Sequence, residues 1–412
     1  MAHTFPLQKD IITVGMIGCG ARGNMLMDTL SAIDGVLITA VCDKYEDRVE
    51  RAIAKQQRLR GNTPVGTQNY HEILAMDEVD AVVIATPWDE HIRMTIDALH
   101  AGKAAAMEVG GAYDLAECYD LIEAVETTGV PMMFMENCCF DRFELLATSL
   151  HRAGRFGEVV HCHGAYSHDL RDEIIGGYVN RHYRIDNYLR RNGENYPTHE
   201  LGPIARLLNI NRGNRMVSLV SVASKAAGLH AYSLTDKNPD PSLAGKQFAQ
   251  GDIVNTIITC ANGETISLKL DTTLPKYYCR EFTVRGTKGL AMQEGNMVIL
   301  EGDRNTHLKA AGSADDYKDY LPDIWRNITE EELKLGHGGM DYLEFVEFFK
   351  ALRGERDMPI DVYDAASWMA ITVLSERSIA QGGAPQAIPD FTNGKWITRQ
   401  SVDVVPLPNP NL

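Results

Sequence analysis

Long apolar runs are missing from this 412-residue chain. None reaches the length needed to cross a bilayer, so no membrane-spanning role is expected. Positive charge is also scarce. Lys and Arg total 40 against 56 Asp and Glu, a formal net charge of −16. Such a chain repels phosphate backbones, which argues against nucleic acid as its main partner. The eight cysteines form no Cys-x-x-Cys pair. Cys138 and Cys139 are adjacent, a poor geometry for a mutual bridge, and Cys19, Cys42 and Cys260 sit inside apolar strand-like runs. Reduced thiols are therefore expected. There is no internal repeat and no low-complexity tract. Met1 to Asp10 lacks a basic start followed by an apolar core, so a secretory signal is not expected and the reading is cytoplasmic.

Hydrophobic residues make up 44% of the chain and charged residues 23%, ordinary values for a globular protein with room for two domains. From Ile11 to Asn137 short apolar runs alternate with amphipathic segments, the pattern of βαβ units and a parallel sheet. Strands are expected at Ile11–Ile17, Val36–Cys42, Ala81–Ala85, Lys103–Glu108 and Pro131–Met135. Helices are expected at Ala21–Ile33, Glu46–Leu59, Asp89–His100 and Asp114–Thr127. The remainder alternates with period two at Val159–Tyr166, Met216–Ala223, Gly251–Cys260, Glu264–Asp271, Glu281–Gly286 and Gly289–Glu294, implying a largely antiparallel open sheet. Ser233–Ala249 and Glu301–Tyr320 read as polar loops, and Met340–Leu352 and Val362–Ala380 as late helices. The expected fold is α/β: an N-terminal Rossmann domain, 1–137, and an α+β domain, 138–412. The late helices are left open to pack back on the first domain. An open sheet has a face or edge to bury, so a homo-oligomer is expected.

Gly18-Cys19-Gly20-Ala21-Arg22-Gly23 is a G-x-G-x-x-G that follows a strand and opens a helix, and Asp43 ends the next strand twenty residues past Gly23. Gly18 permits the tight turn, Gly20 admits a pyrophosphate to the backbone, and Gly23 lets helix pack on strand. The helix N-terminus offers amide donors. Asp43 suits two ribose hydroxyls and repels a 2′-phosphate, which favours NAD over NADP. Ligands of open parallel sheets lie beyond the carboxyl ends of strands. Thr86 to His91, Glu108-Val109 and Glu136-Asn137 therefore face the cofactor. Trp88 fits a wall beside the nicotinamide or plain packing equally, and the Asn137 amide fits the nicotinamide-ribose region. His161, Cys162 and His163 alternate along a strand, with both imidazoles on one face and no third or fourth ligand evident, so no metal site is expected.

A Rossmann half followed by an antiparallel-sheet half resembles the Gfo/Idh/MocA superfamily over nearly the whole chain. Dehydrogenases of that superfamily usually carry Glu-Lys-Pro at the end of the fifth strand. This chain reads Met107-Glu108-Val109-Gly110, without the lysine. A narrower likeness fits better. Thr86-Pro87-Trp88, Met135-Glu136-Asn137-Cys138, His168-Asp169-Leu170-Arg171, Tyr196-Pro197-Thr198-His199, Leu201-Gly202-Pro203 and His337-Gly338-Gly339-Met340-Asp341 resemble glycoside hydrolase family 109. The resemblance implies an NAD-dependent exo-glycosidase, of a kind best known for releasing α-linked N-acetylgalactosamine. Its route is oxidation at C3 of the sugar, deprotonation at C2, elimination of the aglycone from C1, addition of water and re-reduction. Two flanking carboxylates are not required. The alternatives are a sugar or polyol dehydrogenase that releases NADH, and a non-catalytic sugar-binding protein that retains NAD.

By the same resemblance Arg22, Gly23, Asp43, Trp88, His91, Glu108, Val109, Asn137, Tyr196 and His199 hold NAD. Tyr166, Arg184, Tyr196 and Tyr278 contact the sugar. His199 is the candidate base, since imidazole titrates near neutrality, with Tyr166, Tyr188 and Tyr196 as further catalytic candidates. Phe140 stands where the family commonly has tyrosine, Tyr188 where it has histidine, Gly110 where it has proline, and Glu200 where it has glycine. Glu200 is read as a partner of His199, a contact to the sugar, or a solvated helix residue.

Overall fold

The computed structural model describes residues 4–302 and 312–408. Its first sheet contains β1 (Ile12–Ile17), β2 (Val36–Cys42), β3 (Val65–Thr67), β4 (Ala81–Ile84), β5 (Ala104–Glu108) and β6 (Met132–Met135). All are parallel, in the order β3-β2-β1-β4-β5-β6. Runs such as Ala-Val-Val-Ile in β4 and Ala-Ala-Ala-Met-Glu in β5 are buried throughout. That burial is what covering both faces with helices requires. The order reverses between β1 and β4, which opens a crevice at their carboxyl ends. β3, with exposed Val65 and Gly66, has no apolar run to announce it and is absent from the sequence reading.

The second sheet contains β7 (Val159–Ser167), β8 (Met216–Ala223), β9 (Ile253–Cys260), β10 (Thr265–Asp271), β11 (Thr283–Gly286), β12 (Gly289–Met292), β13 (Met297–Leu300) and β14 (Gln386–Ala387). Their order is β13-β12-β11-β7-β10-β9-β8-β14. Neighbours are antiparallel except β7 and β10, which run parallel. β9 alternates buried Val254, Thr256 and Ile258 with exposed Asn255, Ile257 and Thr259, so one face is core and the other open. The expected loop at Glu301–Tyr320 needs correction at its end. A 3₁₀ segment covers Ala314–Tyr320, started by a capping box in which Ser313 and Asp316 satisfy each other's backbone N–H groups. Residues 303–311 of that loop lie outside the described residues.

The two late helices, Met340–Leu352 and Val362–Ala380, have the predicted bounds. They reach across to the N-terminal sheet: Leu7 N–H donates to Leu352 O at 2.7 Å, Ala112 N–H to Met369 O at 3.2 Å and Phe134 N–H to Ile360 O at 3.2 Å. Gly111 permits this approach, because a Cβ there would sit 2.2 Å from Thr372 Oγ1.

Candidate active site

At the reversal of the first sheet, Gly18 has φ +93° and a Cβ there would lie 2.4 Å from Ala85 O. A Cβ on Gly23 would lie 1.9 Å from Gly18 O. Both positions therefore require glycine. Gly20 is the N-cap of the helix Ala21–Ala32 and makes no side-chain cap, which leaves the first amides for a ligand. Asp43 accepts from Cys19 N–H at 2.9 Å and Tyr45 N–H at 3.0 Å. A carboxylate offers about four acceptor sites, so two remain for ribose hydroxyls. Arg48 lies 3.7 Å from Asp43 and also donates to the carbonyls of Asn180 and Arg181, a guanidinium already committed. The loop, the helix end and Asp43 fit a dinucleotide.

Beyond the carboxyl ends of β5 and β6 the chain builds an ionic network. Arg22 donates through Nε to Glu108 at 2.8 Å and through Nη1 to Asp341 at 2.5 Å, and Asn137 Nδ2 donates to Asp341 at 2.7 Å. Two predicted cofactor residues, Arg22 and Asn137, thus converge on Asp341, and a third, Glu108, holds Arg22 from the other side. Burial would raise the Asp341 carboxyl, but Arg22 and the His337 hydrogen bond hold it far below its ordinary range. His91 is buried, with its ring nitrogen on Thr86 O and its pKa lowered by burial to about 4. A neutral imidazole there braces the Thr86–Trp88 loop. Val109 is buried beside it.

The residues predicted to contact a sugar sit among aromatic rings. Trp88 stacks on Tyr196 with centroids 5.2 Å apart, and Arg184 lies over both, 5.1 Å and 5.0 Å from the ring centroids. Gly110 makes room for that indole, since a Cβ would fall 2.5 Å from Trp88 Cδ1. The proline common in the family at this position carries such a Cβ and would displace Trp88 from where it stands here. Tyr166 lies 4.8 Å from Tyr196, 5.4 Å from His199 and 6.2 Å from Tyr278, ring to ring. Burial pushes the Tyr166 phenol up to about 12. Tyr278 is half-exposed, and its hydroxyl accepts from Arg280 at 3.0 Å.

His199 is the second residue of the helix Thr198–Leu207. Its Nδ1 lies 2.8 Å and 3.0 Å from the two carboxylate oxygens of Glu136, which is fully buried and also accepts from Cys138 N–H at 3.1 Å. Burial alone would raise Glu136, yet the His199 charge and hydrogen bond lower it. With Nδ1 held by Glu136, Nε2 is the ring atom left to exchange a proton. Among the described residues no group hydrogen-bonds that Nε2. Gly202, from the Leu-Gly-Pro string, lets the helix settle on Glu136, because a Cβ would meet Glu136 Cγ at 2.7 Å. Cys138 Sγ lies within 4.8 Å of the Glu136 and His199 ligand atoms, but the carboxylate and imidazole already satisfy each other.

Two sequence assignments move. Glu200, one step along the helix from His199, turns toward β7 and is buried with its carboxyl against that of Glu194. It neither partners His199 nor meets solvent, since adjacent helical residues project about 100° apart. Tyr188 is buried with its hydroxyl 2.7 Å from Thr272 Oγ1, and Phe140 is a fully buried ring without a proton to transfer. His161 and His163 pair across to Thr265 and Ser267 of β10 at 2.9 Å and 2.7 Å. Glu194 and Asp341 are not singled out by the sequence, and Glu136 is expected there to face the cofactor rather than to pair with His199. Glu136 and Asp341 had a signal in the family strings, whereas Glu194 had none.

Comparison with known proteins agrees with this fold. Residues 12–136 match the oxidoreductase family with an NAD-binding Rossmann fold, and residues 140–398 match the C-terminal domain of glycosyl hydrolase 109. The chain is 38% identical to an α-N-acetylgalactosaminidase of Tannerella forsythia over 95% of its own length and 88% of that protein's. It is 34% identical to an α-N-acetylgalactosaminidase of Shewanella oneidensis over 97% and 89%. Among solved structures, levoglucosan dehydrogenase in complex with NADH and levoglucosan superposes with a TM-score of 0.69 at 19% identity, covering 92% of this chain and all of that one. A myo-inositol dehydrogenase from Sinorhizobium meliloti gives 0.62 at 19%, again over 92% and 100%. At such identities these two show the shared fold. With an NAD-binding Rossmann half, a lysine-free fifth strand end and a matching second domain, the chain belongs to glycosyl hydrolase family 109, glycoside hydrolases on an oxidoreductase fold.

Proposed function

We propose that this protein is an NAD-dependent exo-glycosidase that releases a terminal sugar by oxidation at C3, elimination across C2–C1, hydration and re-reduction. The observation that carries the proposal is the Glu136–His199 pair, which sits against the Tyr166 and Tyr196 rings. Gly18, Gly20, Gly23, Asp43 and the amides of the helix Ala21–Ala32 would hold the cofactor, with Arg22, Glu108 and Asn137 around it. Bound there, NAD would supply a reversible hydride acceptor, with no net consumption of cofactor.

The protein's own part is proton handling and orientation. His199 Nε2 takes the C3 hydroxyl proton while Glu136 stabilises the imidazolium that forms. A C3 ketone acidifies the C2 proton, and Tyr196 and Tyr166, 4.7 Å and 5.4 Å ring to ring from His199, are the phenols that can relay it, which Phe140 cannot. Arg184, buried over Trp88 and Tyr196, and Tyr278, fixed by Arg280, grip the sugar hydroxyls. The ring walls exclude water until the aglycone has left. α-N-Acetylgalactosaminides are the first substrates to try, given the names of the relatives.

The test uses purified protein with a panel of aryl α- and β-glycosides, including α-N-acetylgalactosaminides, in deuterated water without added NAD. Aglycone release, deuterium at C2 of the product and no net NADH are expected. Stoichiometric NADH from free sugars, with no aglycone release, would overturn the reading in favour of a dehydrogenase.

A further inference from the structure

Four consecutive residues, Gly336, His337, Gly338 and Gly339, have positive φ (64°, 42°, 68° and 95°). Three are glycines, as such a path demands, and His337 is the one residue bearing a Cβ. The path folds this strap tightly over the first turn of the helix Met340–Leu352. A Cβ on Gly336 would lie 2.2 Å from Asp341 Oδ2. Under the strap, Asp341 is fully buried and takes Arg22 Nη1 at 2.5 Å, Arg22 Nη2 at 3.1 Å, Asn137 Nδ2 at 2.7 Å and His337 Nδ1 at 3.0 Å. His337 Nδ1 is also 3.1 Å from Arg22 Nη1. The far side of the guanidinium is held by Glu108, at 2.7 Å from Nη2.

Arg22 belongs to the glycine-rich motif, in the first turn of the helix Ala21–Ala32 and one residue before Gly23. A segment more than three hundred residues later in the chain therefore clamps the loop against the ends of β5 and β6. The clamp is a two-point, charge-assisted grip on a planar guanidinium, the geometry that fixes Arg most firmly. For a dehydrogenase that exchanges NADH for NAD each turnover, such a tie would oppose release. For an enzyme that oxidises and re-reduces one sugar, it does not.

We infer that the strap Gly336–Asp341 is a retention latch: Asp341 and His337 are positioning residues that hold Arg22 and so keep NAD resident between turnovers. The inference rests on the proposed function for the reason that NAD is worth retaining, but its measurement does not. Opening the cleft requires breaking the Arg22–Asp341 pair in a water-poor setting, which slows exchange.

The experiment follows NAD itself. Wild type, Asp341→Asn and His337→Ala are purified as full chains, loaded with NAD, and passed repeatedly through gel filtration. Bound NAD per chain and its dissociation rate are then measured. Wild type is expected to keep NAD through the columns. Asp341→Asn should release it at least tenfold faster and His337→Ala a few-fold faster, while the NAD-free His337→Ala protein melts at the wild-type temperature. That last readout separates positioning from bulk stability. His337 has a half-exposed side chain, so its variant folds even where Asp341→Asn does not. Release at the wild-type rate from His337→Ala and from every folded Asp341 variant would overturn the latch. So would a wild-type protein that loses NAD within one column. Absence of aglycone release with slow, Asp341-dependent NAD loss would sink the glycosidase reading and leave the latch standing.

Discussion

Glu136 does for His199 what no other residue near it can: it is buried, ionised and bonded to Nδ1. Glu136→Gln keeps the shape but removes the charge that stabilises imidazolium. Turnover is expected to fall by about 10²-fold, within the range of acid–base catalysis, while NAD content stays that of wild type; equal turnover in the two proteins would remove His199 from the mechanism. Glu194 and Glu200 make a second prediction. Burial comes first among the causes that raise both carboxyls, Glu194 to about 8, and each lies against the other. Raised carboxyls bind protons more tightly in the folded state than in the unfolded one. Their favourable contribution is complete below the ordinary carboxyl range and is lost as pH climbs from there through the folded values, up to about 8 and beyond. Glu200→Gln removes one of the two titrations, so its melting temperature should decline less than wild type between pH 5 and pH 9, as thermal melts would show. A parallel decline would mean that the pair is already ionised.

At the scale of elements, the site is assembled where close backbone approach is allowed. Gly110 lies against Trp88, Gly202 against Glu136, and Gly164 of β7 against Glu200. Each is a glycine because a Cβ would meet a neighbour at under 3 Å. Gly110→Ala should push the indole off Tyr196, destabilise the protein by about 1–3 kcal/mol as overpacking does, and weaken NAD binding. Calorimetric melting and NAD titration check both, and an unchanged affinity would show that Trp88 packs without touching the cofactor. Periodicity made most strands and the longer Rossmann and late helices legible, but not the helix Arg142–Arg152. The parallel strands β4 and β5 are buried runs, and β9 and β10 alternate. β3, β13 and the 3₁₀ segment Ala314–Tyr320 were not legible, because a short edge strand or a capped turn carries too few apolar residues to set a period.

Across the whole molecule, the second sheet leaves a face open, with Ile257 exposed and paired in register with Val220 of the adjacent strand. We expect a second copy to cover it. Light scattering should report an oligomer, and Ile257→Glu should shift it toward monomer; a monomeric wild type would refute this. The dinucleotide fingerprint was readable from the residues because Gly18, Gly20, Gly23 and Asp43 act through local backbone and one βαβ unit, and such geometry travels with short spacing. The tyrosine and histidine positions were readable through the family strings, which record contacts without explaining them. Tertiary structure alone decided that His199 leans on Glu136 rather than Glu200, and that Arg22 is gripped by Asp341. Those pairs span 63 and 319 positions. No periodicity reaches that far, and only the packing of the late helices and the helix Thr198–Leu207 on the ends of β5 and β6 brings the charges within reach.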